Sequence, residues 1–455
     1  MDLRCMFEPK TVAVVGISFS NERHPANVIF NKTLLRYPVE VFPVNPRGGS
    51  FQGQEVFKRL ADIPRKIDLA VIAARADFVP DIFTDCIRSG VKGAVLISGG
   101  FAEIGRQDLQ DRIVAIAAEA DFPFMGPNCL GIYSPPHIDT FFLPSERMVR
   151  PEIGNIALVS QSGGVLVDQM VKFANQGLGL SLGVSIGNKA VIRELTMLEY
   201  LAADPQTDVI AFYVEGFEKN EGRKFVLAAD QCSKPVVVLK AGKSPAGTRA
   251  ASSHTASLAG DYSILSAVLS QFGVVEAKNE FELLAFCESL SCYKESIEGS
   301  IGIITGSGGH GVLAVDVCAE HGIKVPDLSE TVRNKLSAKL SPSVRTIAGL
   351  NNPIDLTGSA VDDDFVTAVE ILSGVPDIEC VIILLLPYSP GITSDLGARL
   401  SQVYRKCGKP LVAYVPHLEK YRMFIEGFEL NRVPVSPSIE GAVLMVEAMR
   451  RCRAC

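Results

Sequence analysis

The stretch NIALVSQSGGVLVDQMVKFANQGLG (155–179) recurs later in the chain as IGIITGSGGHGVLAVDVCAEHGI (301–323). Each copy begins with an apolar run typical of a buried strand, turns at Ser-Gly-Gly and continues in a helical pattern. An Asn-bearing turn, a second apolar strand and a Lys-Pro strand then follow each copy in the same order. The repetition predicts two α/β domains of similar fold, which we place at residues 150–295 and 298–455.

The residues ahead of the repeats predict a third α/β domain. Its strand candidates are TVAVVGIS (11–18), VEVFPVN (39–45), DLAVIAA (68–74), GAVLIS (93–98) and FPFMG (122–126). Strands that are apolar throughout and alternate with amphipathic helices indicate a parallel sheet covered on both faces. We assign this nucleotide-binding type of domain to residues 1–143 and expect the Pro- and charge-rich segment 144–155 to be a linker.

Length and composition set the class of protein. A chain of 455 residues, 47% of them hydrophobic, is long enough for about three domains. The net charge of −7 argues against a nucleic-acid-binding protein, because phosphate backbones attract clustered Lys and Arg. No apolar run approaches the ~18 residues of a membrane span, and the amino terminus lacks the apolar core of a signal peptide. Eleven cysteines without dense spacing indicate reduced thiols. We therefore expect a soluble, cytoplasmic protein that binds neither nucleic acid nor membrane.

The first strand of the chain ends in a turn that could bind a nucleotide. That turn contains Gly16 and Ser18 but lacks the G-x-G-x-x-G pattern of a dinucleotide site. The second strand ends in Asn45-Pro46-Arg47, where an NAD enzyme would place an acidic residue. A neutral and basic corner suits an extra phosphate, as on NADP or the 3′-phosphate of coenzyme A. The alternative is an ordinary tight turn of an α/β domain.

Two other motifs predict no site. AGKSPAG (241–247) resembles half of an ATP-binding P-loop, but Val237 stands where that loop needs a glycine. Cys452 and Cys455 form a C-x-x-C pair, and zinc would require two further ligands nearby, which the sequence does not show. We therefore predict neither an ATP-binding loop nor a metal site in this chain.

Three features point to phosphate chemistry. The turn at Ser162-Gly163-Gly164 follows a strand and opens a helix, so its free backbone N–H groups could hold a phosphate; the alternative is a glycine chosen only for packing. His254 lies among Ser and Thr residues that could hydrogen-bond a phosphoryl group, although a lone histidine is more often structural. Glu215 ends an apolar strand and could hold an imidazole by one nitrogen, leaving the other nucleophilic; the alternative is a surface carboxylate.

Ten motifs in this sequence resemble, in order, those of the α subunit or α half of the NDP-forming acyl-CoA synthetases, relatives of succinyl-CoA synthetase. They are TVAVVGIS, VFPVNPRG, DLAVIAA, GAVLISGGFAE, MGPNCLG, ALVSQSGG, SIGNKA, YVEG, AASSHTASLAG and NNPIDLTG. The resemblance implies an α/β fold with an amino-terminal Rossmann-like CoA-binding domain followed by two flavodoxin-like domains. It also implies a reversible reaction in which acyl-CoA, phosphate and ADP give a carboxylate, CoA and ATP.

The resemblance implies roles for single residues as well. His254 matches the histidine that takes the phosphoryl group from an acyl phosphate, and Glu215 matches the carboxylate that orients this histidine. The phosphate site would comprise Gln161, Ser162, Gly163 and Gly164. The CoA site would comprise Gly16, Ser18, Asn45, Arg47, Ser98 and Asn128, the last near the thiol.

The chain departs from the family pattern at Arg47, Ala256 and His310, where Lys, Gly and Pro are common, and at two further places that bear on substrate binding. Ala74-Arg75 replaces a common Val-Pro, which bears on contacts to the CoA adenosine. Val191-Ile192-Arg193 replaces acidic residues, which bears on the acyl preference. No segment resembles an ATP-grasp domain, so we expect Mg-ADP or Mg-ATP to bind a separate ATP-grasp β subunit in an α2β2 assembly.

Two other functions stay open at this point. One is a non-catalytic CoA-binding or scaffold relative of the same fold, and the other is an NADP-dependent oxidoreductase. The presence of both His254 and Glu215 favours the ligase over the non-catalytic relative, and the oxidoreductase is the weakest of the three interpretations.

Overall fold

A computed structural model describes residues 2–254, 261–416 and 419–453 of the chain, except for the side chains of residues 251–254. The chain divides into two compact units, Met1–Lys278 and Asn279–Cys455. Within the described residues, no helix combines the length and the apolarity needed to cross a membrane.

The first sheet of the first unit is parallel, with strand order β2-β1-β5-β6-β7 and a separate β3-β4 hairpin. The strands are β1 (Thr11–Val15), β2 (Glu40–Val44), β3 (Gly49–Phe51), β4 (Gln54–Val56), β5 (Leu69–Ile72), β6 (Gly93–Leu96) and β7 (Phe124–Met125). The helices are α1 (Arg4–Phe7), α2 (Pro25–Arg36), α3 (Val79–Arg88) and α4 (Gln107–Glu119), with 3₁₀ turns at Leu60–Asp62, Ala76–Phe78 and Ala102–Ile104.

Helices cover both faces of this sheet. Because neighbouring residues of a strand point to opposite faces, Val14 of β1 lies in one buried cluster with Phe30 of α2, while Ala13 lies in another with Phe83 of α3. The chain direction across the sheet reverses between β1 and β5, and such a switch point at the carboxyl ends of parallel strands is the usual ligand site of an open α/β sheet. The predicted strands and the predicted Rossmann-like class are confirmed.

The second sheet of the first unit has the order β14-β13-β12-β10-β11-β8-β9. Its strands are β8 (Gly131–Ser134), β9 (Ile138–Asp139), β10 (Ile153–Ser160), β11 (Leu180–Ser185), β12 (Val209–Val214), β13 (Val236–Lys240) and β14 (Val275–Ala277). Its helices are α5 (Gly163–Asn175), α6 (Glu194–Ala203), α7 (Glu221–Asp230), α8 (Pro245–His254) and α9 (Tyr262–Gln271), and a 3₁₀ turn lies at Ser145–Arg147.

The antiparallel strands β8 and β9 join the two sheets of the first unit. The sequence places residues 131–139 in the first domain, but Ile132 of β8 pairs with Val184 of β11 in the second sheet. Asp139 of β9 accepts hydrogen bonds from Lys32 Nζ of α2 (2.7 Å) and from Arg150 Nε (2.5 Å). Burial lowers the pKa of Lys32 to about 8, against the opposing effect of Asp139. This buried network links α2 to the second sheet.

The second unit contains one parallel sheet with the order β16-β15-β17-β18-β19. Its strands are β15 (Ile301–Thr305), β16 (Ile354–Asp355), β17 (Cys380–Leu384), β18 (Leu411–Tyr414) and β19 (Val435–Ser436). Its helices are α10 (Glu280–Cys292), α11 (Gly308–Glu320), α12 (Glu330–Lys339), α13 (Pro342–Arg345), α14 (Asp362–Ser373), α15 (Leu396–Cys407), α16 (Arg422–Glu429) and α17 (Ile439–Arg451), with a 3₁₀ turn at Glu419–Tyr421.

Helix α10 belongs to this second unit. Ser289 Oγ donates a hydrogen bond to Met445 O (2.8 Å), and Glu288 Oε1 accepts one from Val435 N (2.8 Å). The division of the chain therefore falls after Lys278, whereas the sequence places the domain border between residues 295 and 298.

The internal repeat is confirmed strand by strand. The order β14-β13-β12-β10-β11 of the second sheet is the order β19-β18-β17-β15-β16 of the third. The turns also match, since Ser160 Oγ donates to Ser162 O (2.7 Å) and Thr305 Oγ1 donates to Ser307 O (3.0 Å). In each copy the helix begins directly after this serine, at Gly163 or at Gly308.

Candidate active site

The carboxyl ends of three neighbouring strands meet at a cavity in the first unit. Strands β10, β12 and β13 end at this edge of the second sheet, and the cavity beyond them has a volume of about 610 Å³. We call it the main cavity. Its walls include Asn128, Leu130, Gln161, Ser162, Gly163, Gly164, Asn188, Tyr213, Glu215, Gly242, Gly247 and Ala250. All four residues of the predicted phosphate site and the predicted Glu215 therefore lie in one place.

The start of α5 forms one wall of the main cavity. A Cβ added at Gly163 would lie 2.9 Å from Leu130 Cβ, so packing explains this glycine, whereas a Cβ at Gly164 would meet nothing within 4 Å. Ser162 caps the helix by accepting a hydrogen bond from Val165 N (3.4 Å). The first N–H groups of a helix have no partner inside it and carry partial positive charge, so they suit an anion.

The side chain of Gln161 adds a second donor to this wall. Gln161 is buried, and its Oε1 accepts hydrogen bonds from the backbone N–H groups of Glu215 and Gly216. Because only the amide oxygen can accept them, these bonds fix the orientation of the amide. Its Nε2 has no hydrogen-bond partner within the described residues. A buried donor without a partner is destabilising by about 1–3 kcal/mol, so this nitrogen favours an acceptor in the cavity.

Glu215 follows β12 directly, and a hydrogen bond from a neighbouring strand end holds its backbone carbonyl group. Lys240 Nζ, at the end of β13, donates to Glu215 O (2.7 Å). Burial lowers the pKa of Lys240. Glu215 itself is half-buried and lines the main cavity. Its backbone N–H donates a hydrogen bond to Gln161 Oε1.

Helix α8 connects the main cavity with the predicted catalytic histidine. Gly247 and Ala250 of α8 line the cavity, and His254 is the last residue of this helix. The side chain of His254, together with residues 255–260 of its motif, lies outside the described residues. The predicted contact between His254 and Glu215 stays a prediction.

The predicted CoA residues surround the switch point of the first sheet. Gly16 has a φ of +109°, and a Cβ there would lie 2.2 Å from Ala73 O, so only glycine fits where β1 passes β5. Ser18 N donates to Asn27 Oδ1 (2.8 Å), and Asn45 Nδ2 donates to Ile17 O (2.7 Å). Thus Asn45 holds the turn after β1 in place.

The other predicted CoA residues continue along the same edge. Asn45 Oδ1 accepts a hydrogen bond from Arg47 N (2.8 Å), and the Arg47 side chain is exposed. Ser98 Oγ donates to Ala74 O (2.5 Å), while Ser98 O accepts from Asn128 N (2.9 Å). Asn128 also lines the main cavity. The predicted CoA residues therefore extend from the switch point of the first sheet to the main cavity, which Asn128 lines.

Sequence reasoning missed a buried ion pair behind the site. Lys189 Nζ donates to Glu194 Oε1 (2.8 Å) and to the carbonyl oxygen of Gly216, and both charged side chains are buried. Burial raises the pKa of Glu194, which Lys189 opposes. The motif SIGNKA contains Lys189, but nothing in its pattern shows that the lysine supports the loop after Glu215.

No cluster of three or more His, Cys, Asp or Glu side chains that could hold a metal ion occurs in the described part of the chain, which excludes Cys455.

Comparisons with known proteins identify the same two parts. Family models match a CoA binding domain at residues 10–135 and a succinyl-CoA ligase like flavodoxin domain at residues 153–290. Together these two matches define a protein of the CoA-ligase class.

Full-length relatives narrow this class. The α subunit of acetate–CoA ligase (ADP-forming) I from Pyrococcus furiosus is 32% identical over 99% of this chain and 97% of its own length. Acetate–CoA ligase (ADP-forming) I from Archaeoglobus fulgidus is 38% identical over 84% of this chain, which spans 54% of that relative's length. The chain belongs to the family of ADP-forming acyl-CoA ligases.

A solved structure agrees with this assignment. It is the dinucleotide forming acetyl-coenzyme A synthetase 1 of Ca. Korarchaeum cryptofilum, in complex with phosphate and ADP. Its sequence is 29% identical, its TM-score is 0.88, and the match covers 99% of this chain and 96% of that one. The family that the ten motifs indicate is therefore confirmed, as is the fold class.

Proposed function

We propose that this chain performs the acyl-transfer and histidine-phosphorylation steps of an ADP-forming acyl-CoA ligase. The complete reaction interconverts acyl-CoA, phosphate and ADP with a carboxylate, CoA and ATP. The observation that carries the proposal is the buried amide nitrogen of Gln161, a residue of the main-cavity wall beside the start of α5, which has no partner in the described residues. A helix start and an unpartnered donor in one cavity together favour an anion.

In the proposed first step, phosphate binds at the start of α5 and attacks the thioester carbon of acyl-CoA. The C–S bond breaks, the CoA thiolate leaves and takes up a proton, and an acyl phosphate remains. The N–H groups of Gly163 and Gly164, with Gln161 Nε2, would counter the negative charge on the phosphate oxygens. CoA would reach this point along the edge from Gly16 to Asn128.

In the proposed second step, a neutral ring nitrogen of His254 attacks the phosphorus atom of the acyl phosphate. The P–O bond to the acyl group breaks, the carboxylate leaves, and the phosphoryl group stays on His254. Glu215 would accept a hydrogen bond from the other ring nitrogen and so stabilise the positive charge that develops on the imidazole. Phosphohistidine then transfers its phosphoryl group to ADP, whose bound Mg²⁺ neutralises charge on the phosphates.

The nucleotide steps would take place on an ATP-grasp β subunit in an α2β2 assembly. Two relatives from Pyrococcus furiosus bear the name of alpha subunits, which supports a partner, while other relatives are longer single chains. We further place the protein in a reducing cytoplasm, which fits the free thiols of the ten described cysteines.

The test is phosphorylation of His254. Incubating the assembled enzyme with labelled ATP and Mg²⁺ should give a protein adduct that is acid-labile and alkali-stable. His254→Ala should lower the labelling more than 100-fold, because no histidine lines the main cavity among its described residues.

His310→Ala is the matched control, since His310 opens the equivalent helix of the second repeat; its labelling should stay within about twofold of the wild-type level. A label that persists in His254→Ala would refute the proposal. CoA binding without any label in the wild type would favour a non-catalytic CoA-binding relative instead.

A further inference from the structure

A second cavity lies beside the main cavity, and the proposed steps assign it no ligand. Its volume is about 240 Å³, and it shares Gln161, Gly187 and Asn188 with the main cavity. We call it the side cavity. Its other walls come mainly from α4 and the residues just before it, and from the segment 189–193, where Arg193 is one of the positions at which the chain departs from its family pattern.

Hydrogen bonds fix the polar wall of the side cavity. Asn188 Nδ2 donates to Glu103 Oε2 (2.6 Å) and to Gln110 Oε1 (3.0 Å). Burial alone would raise the pKa of Glu103, but hydrogen bonds from Asn188 and from the backbone of Gly100 and Phe101 outweigh burial and lower it. Glu103 therefore stays ionised, and this wall keeps its geometry before any ligand binds.

Gln110 presents a hydrogen-bond donor to the side cavity. It is 8% exposed, and its Oε1 is occupied by the amide hydrogen of Asn188. A rotated amide would put two N–H groups against each other, so the observed orientation is the stable one. Gln110 lines the cavity, and its only side-chain hydrogen bond among the described residues is the one that Oε1 accepts, so Nε2 is the group left for a ligand. Gln161 lines both cavities, and its buried Nε2 likewise has no partner within the described residues.

The charges around the side cavity disfavour an anionic group. Arg193 uses its guanidinium within the protein, since Nε donates to Lys189 O (3.1 Å) and Nη1 lies 3.6 Å from Glu221 Oε2. Glu194 balances the charge of Lys189 at 2.8 Å. Carboxylates of Glu103, Asp111 and Glu218 also line the walls, so a ligand oxygen that accepts from Gln110 should be neutral.

The position of the side cavity relates it to the acyl group. In the proposed function the reacting carbonyl lies against the phosphate at Gln161, and the side cavity opens from that residue. A water molecule occupies about 30 Å³ of liquid volume, and a methyl group is of similar size. The side cavity, at about 240 Å³, is therefore larger than an acetyl methyl group requires and has room for several heavy atoms.

We propose that the side cavity binds the substituent of the acyl group, and that Gln110 selects short acyl groups bearing a neutral acceptor oxygen, a ketone or a hydroxyl. This proposal rests on the proposed function and adds its substrate class. Gln110 acts by donating a hydrogen bond from Nε2 to that oxygen, while the bond that it accepts from Asn188 keeps the amide oriented.

The experiment compares ligands of equal chain length by calorimetry on the full chain. Butyryl-CoA is the reference, and acetoacetyl-, 3-hydroxybutyryl- and 4-hydroxybutyryl-CoA each add one oxygen. At least one of the three should bind about fivefold more tightly than butyryl-CoA, the effect expected of one hydrogen bond. Succinyl-CoA should bind no more tightly than butyryl-CoA.

Variants of Gln110 distinguish a role of this side chain in selecting the ligand from a role in maintaining the structure of the cavity wall. Gln110→Met removes the donor and should reduce the advantage of the oxygenated ligands to within about twofold of butyryl-CoA. Gln110→Glu keeps an acceptor for Asn188 but loses the N–H donor, so it should abolish the preference for acetoacetyl-CoA while butyryl-CoA affinity changes less than about threefold. Arg112→Gln, an exposed change on the same helix, should leave all affinities unchanged.

Three results would overturn the proposal. One is equal affinity of the wild type for all four ligands, another is a preference that survives in Gln110→Met, and the third is tightest binding of succinyl-CoA. Any of these could occur while His254 still becomes labelled, and then only the substrate class would be wrong. If no acyl-CoA and no free CoA bound, the proposed function would fall together with this inference.

Discussion

The turn before α5 and the turn before α11 have matching hydrogen bonds, yet different groups face the two helix starts. Before α5, Gln161 presents a buried amide nitrogen, while the corresponding residue before α11 is Gly306, which has no side chain. At α11, a Cβ added to Gly308 would lie 2.9 Å from Asp355 Oδ2, so the chain's own carboxylate lies beside the helix start. The Ser-Gly-Gly motif thus determines the turn and the start of the helix. The residues around it, Gln161 in one copy and Asp355 in the other, determine which polar group lies beside the helix start.

The cavities beside the two helices show the same contrast. The cavity at α11 has a volume of about 340 Å³, and its walls combine the carboxyl groups of Asp316 and Asp355 with apolar side chains such as Val312. The main cavity at α5 is larger and contains the unpartnered donor of Gln161. Within each unit taken by itself, the cavity at α11 has two carboxyl groups in its wall, whereas the main cavity has that of Glu215 together with the amide of Gln161, so α5 suits an inorganic anion better than α11 does.

Of the substitutions that test this comparison, one at Gln161 should have the largest effect on the use of phosphate. Gln161→Leu removes the donor to phosphate and the acceptor for Glu215 N and Gly216 N, so two backbone N–H groups lose their partner. We expect kcat/KM for phosphate in the assembled enzyme to fall about 10- to 100-fold, with both a higher KM and a lower kcat. Steady-state kinetics in the direction of ATP synthesis measures this.

Gln161→Glu and Gly306→Ala are the controls for this change. Gln161→Glu keeps the acceptor for both backbone groups but repels phosphate, so it should raise KM for phosphate at least as much as Gln161→Leu does. A Cβ at Gly306 would meet Phe365 Cζ at 3.4 Å, an ordinary contact, and Gly306→Ala should change the rate less than about twofold. Normal phosphate kinetics in Gln161→Leu would show that the phosphate binds elsewhere.

A smaller effect, on the free energy of unfolding, should distinguish alanine substitution at Gly163 from alanine substitution at Gly308. A Cβ at either position meets an atom at 2.9 Å, but this atom is Leu130 Cβ at Gly163 and a carboxylate oxygen of Asp355 at Gly308. Leu130 is buried and its Cβ cannot rotate away, whereas the Asp355 carboxylate can. Gly163→Ala should therefore lower the free energy of unfolding by about 1–3 kcal/mol, and Gly308→Ala by less than about 1 kcal/mol.

Urea denaturation of the full chain, monitored by circular dichroism, measures both values. Equal destabilisation by the two substitutions would contradict the assigned difference in packing and would show that the second turn is as tightly enclosed as the first.

Much of this fold can be predicted from the sequence because its central strands are buried on both faces. Val12 and Val14 pack on one side of the first sheet and Ala13 and Val15 on the other, so the strand appears as an unbroken apolar run. Strands β8 and β9 are short, and their pairing with β11 depends on a partner far along the chain, as Ile132 and Val184 show. No local pattern predicts such an edge.

The candidate site shows the same limit. The turn at Ser162 and the strand end at Glu215 are visible in the sequence, since both follow apolar runs. The importance of Gln161 depends on which of its amide atoms is already bonded, and that follows from Glu215 N and Gly216 N, more than fifty residues away in the chain. Likewise, Gln110 belongs to the first sheet's helix α4, and only tertiary structure brings it to Asn188.

The smallest effect, and the sharpest comparison, concerns Gly164 and Gly309. A Cβ at either residue would meet nothing within 4 Å, so neither substitution by alanine should disturb packing. Alanine has the higher helix propensity, and each variant should unfold at equal or slightly higher urea concentration than the wild type.

The kinetics with phosphate should distinguish Gly164→Ala from Gly309→Ala, because Gly164 lines the main cavity. A methyl group there would narrow the approach of phosphate to the helix start, and we expect KM for phosphate to rise about two- to fivefold in Gly164→Ala. Gly309→Ala should leave it unchanged. If both variants raised this KM equally, the two helix starts would contribute alike to phosphate binding, and the distinction drawn from Gln161 and Asp355 would be wrong.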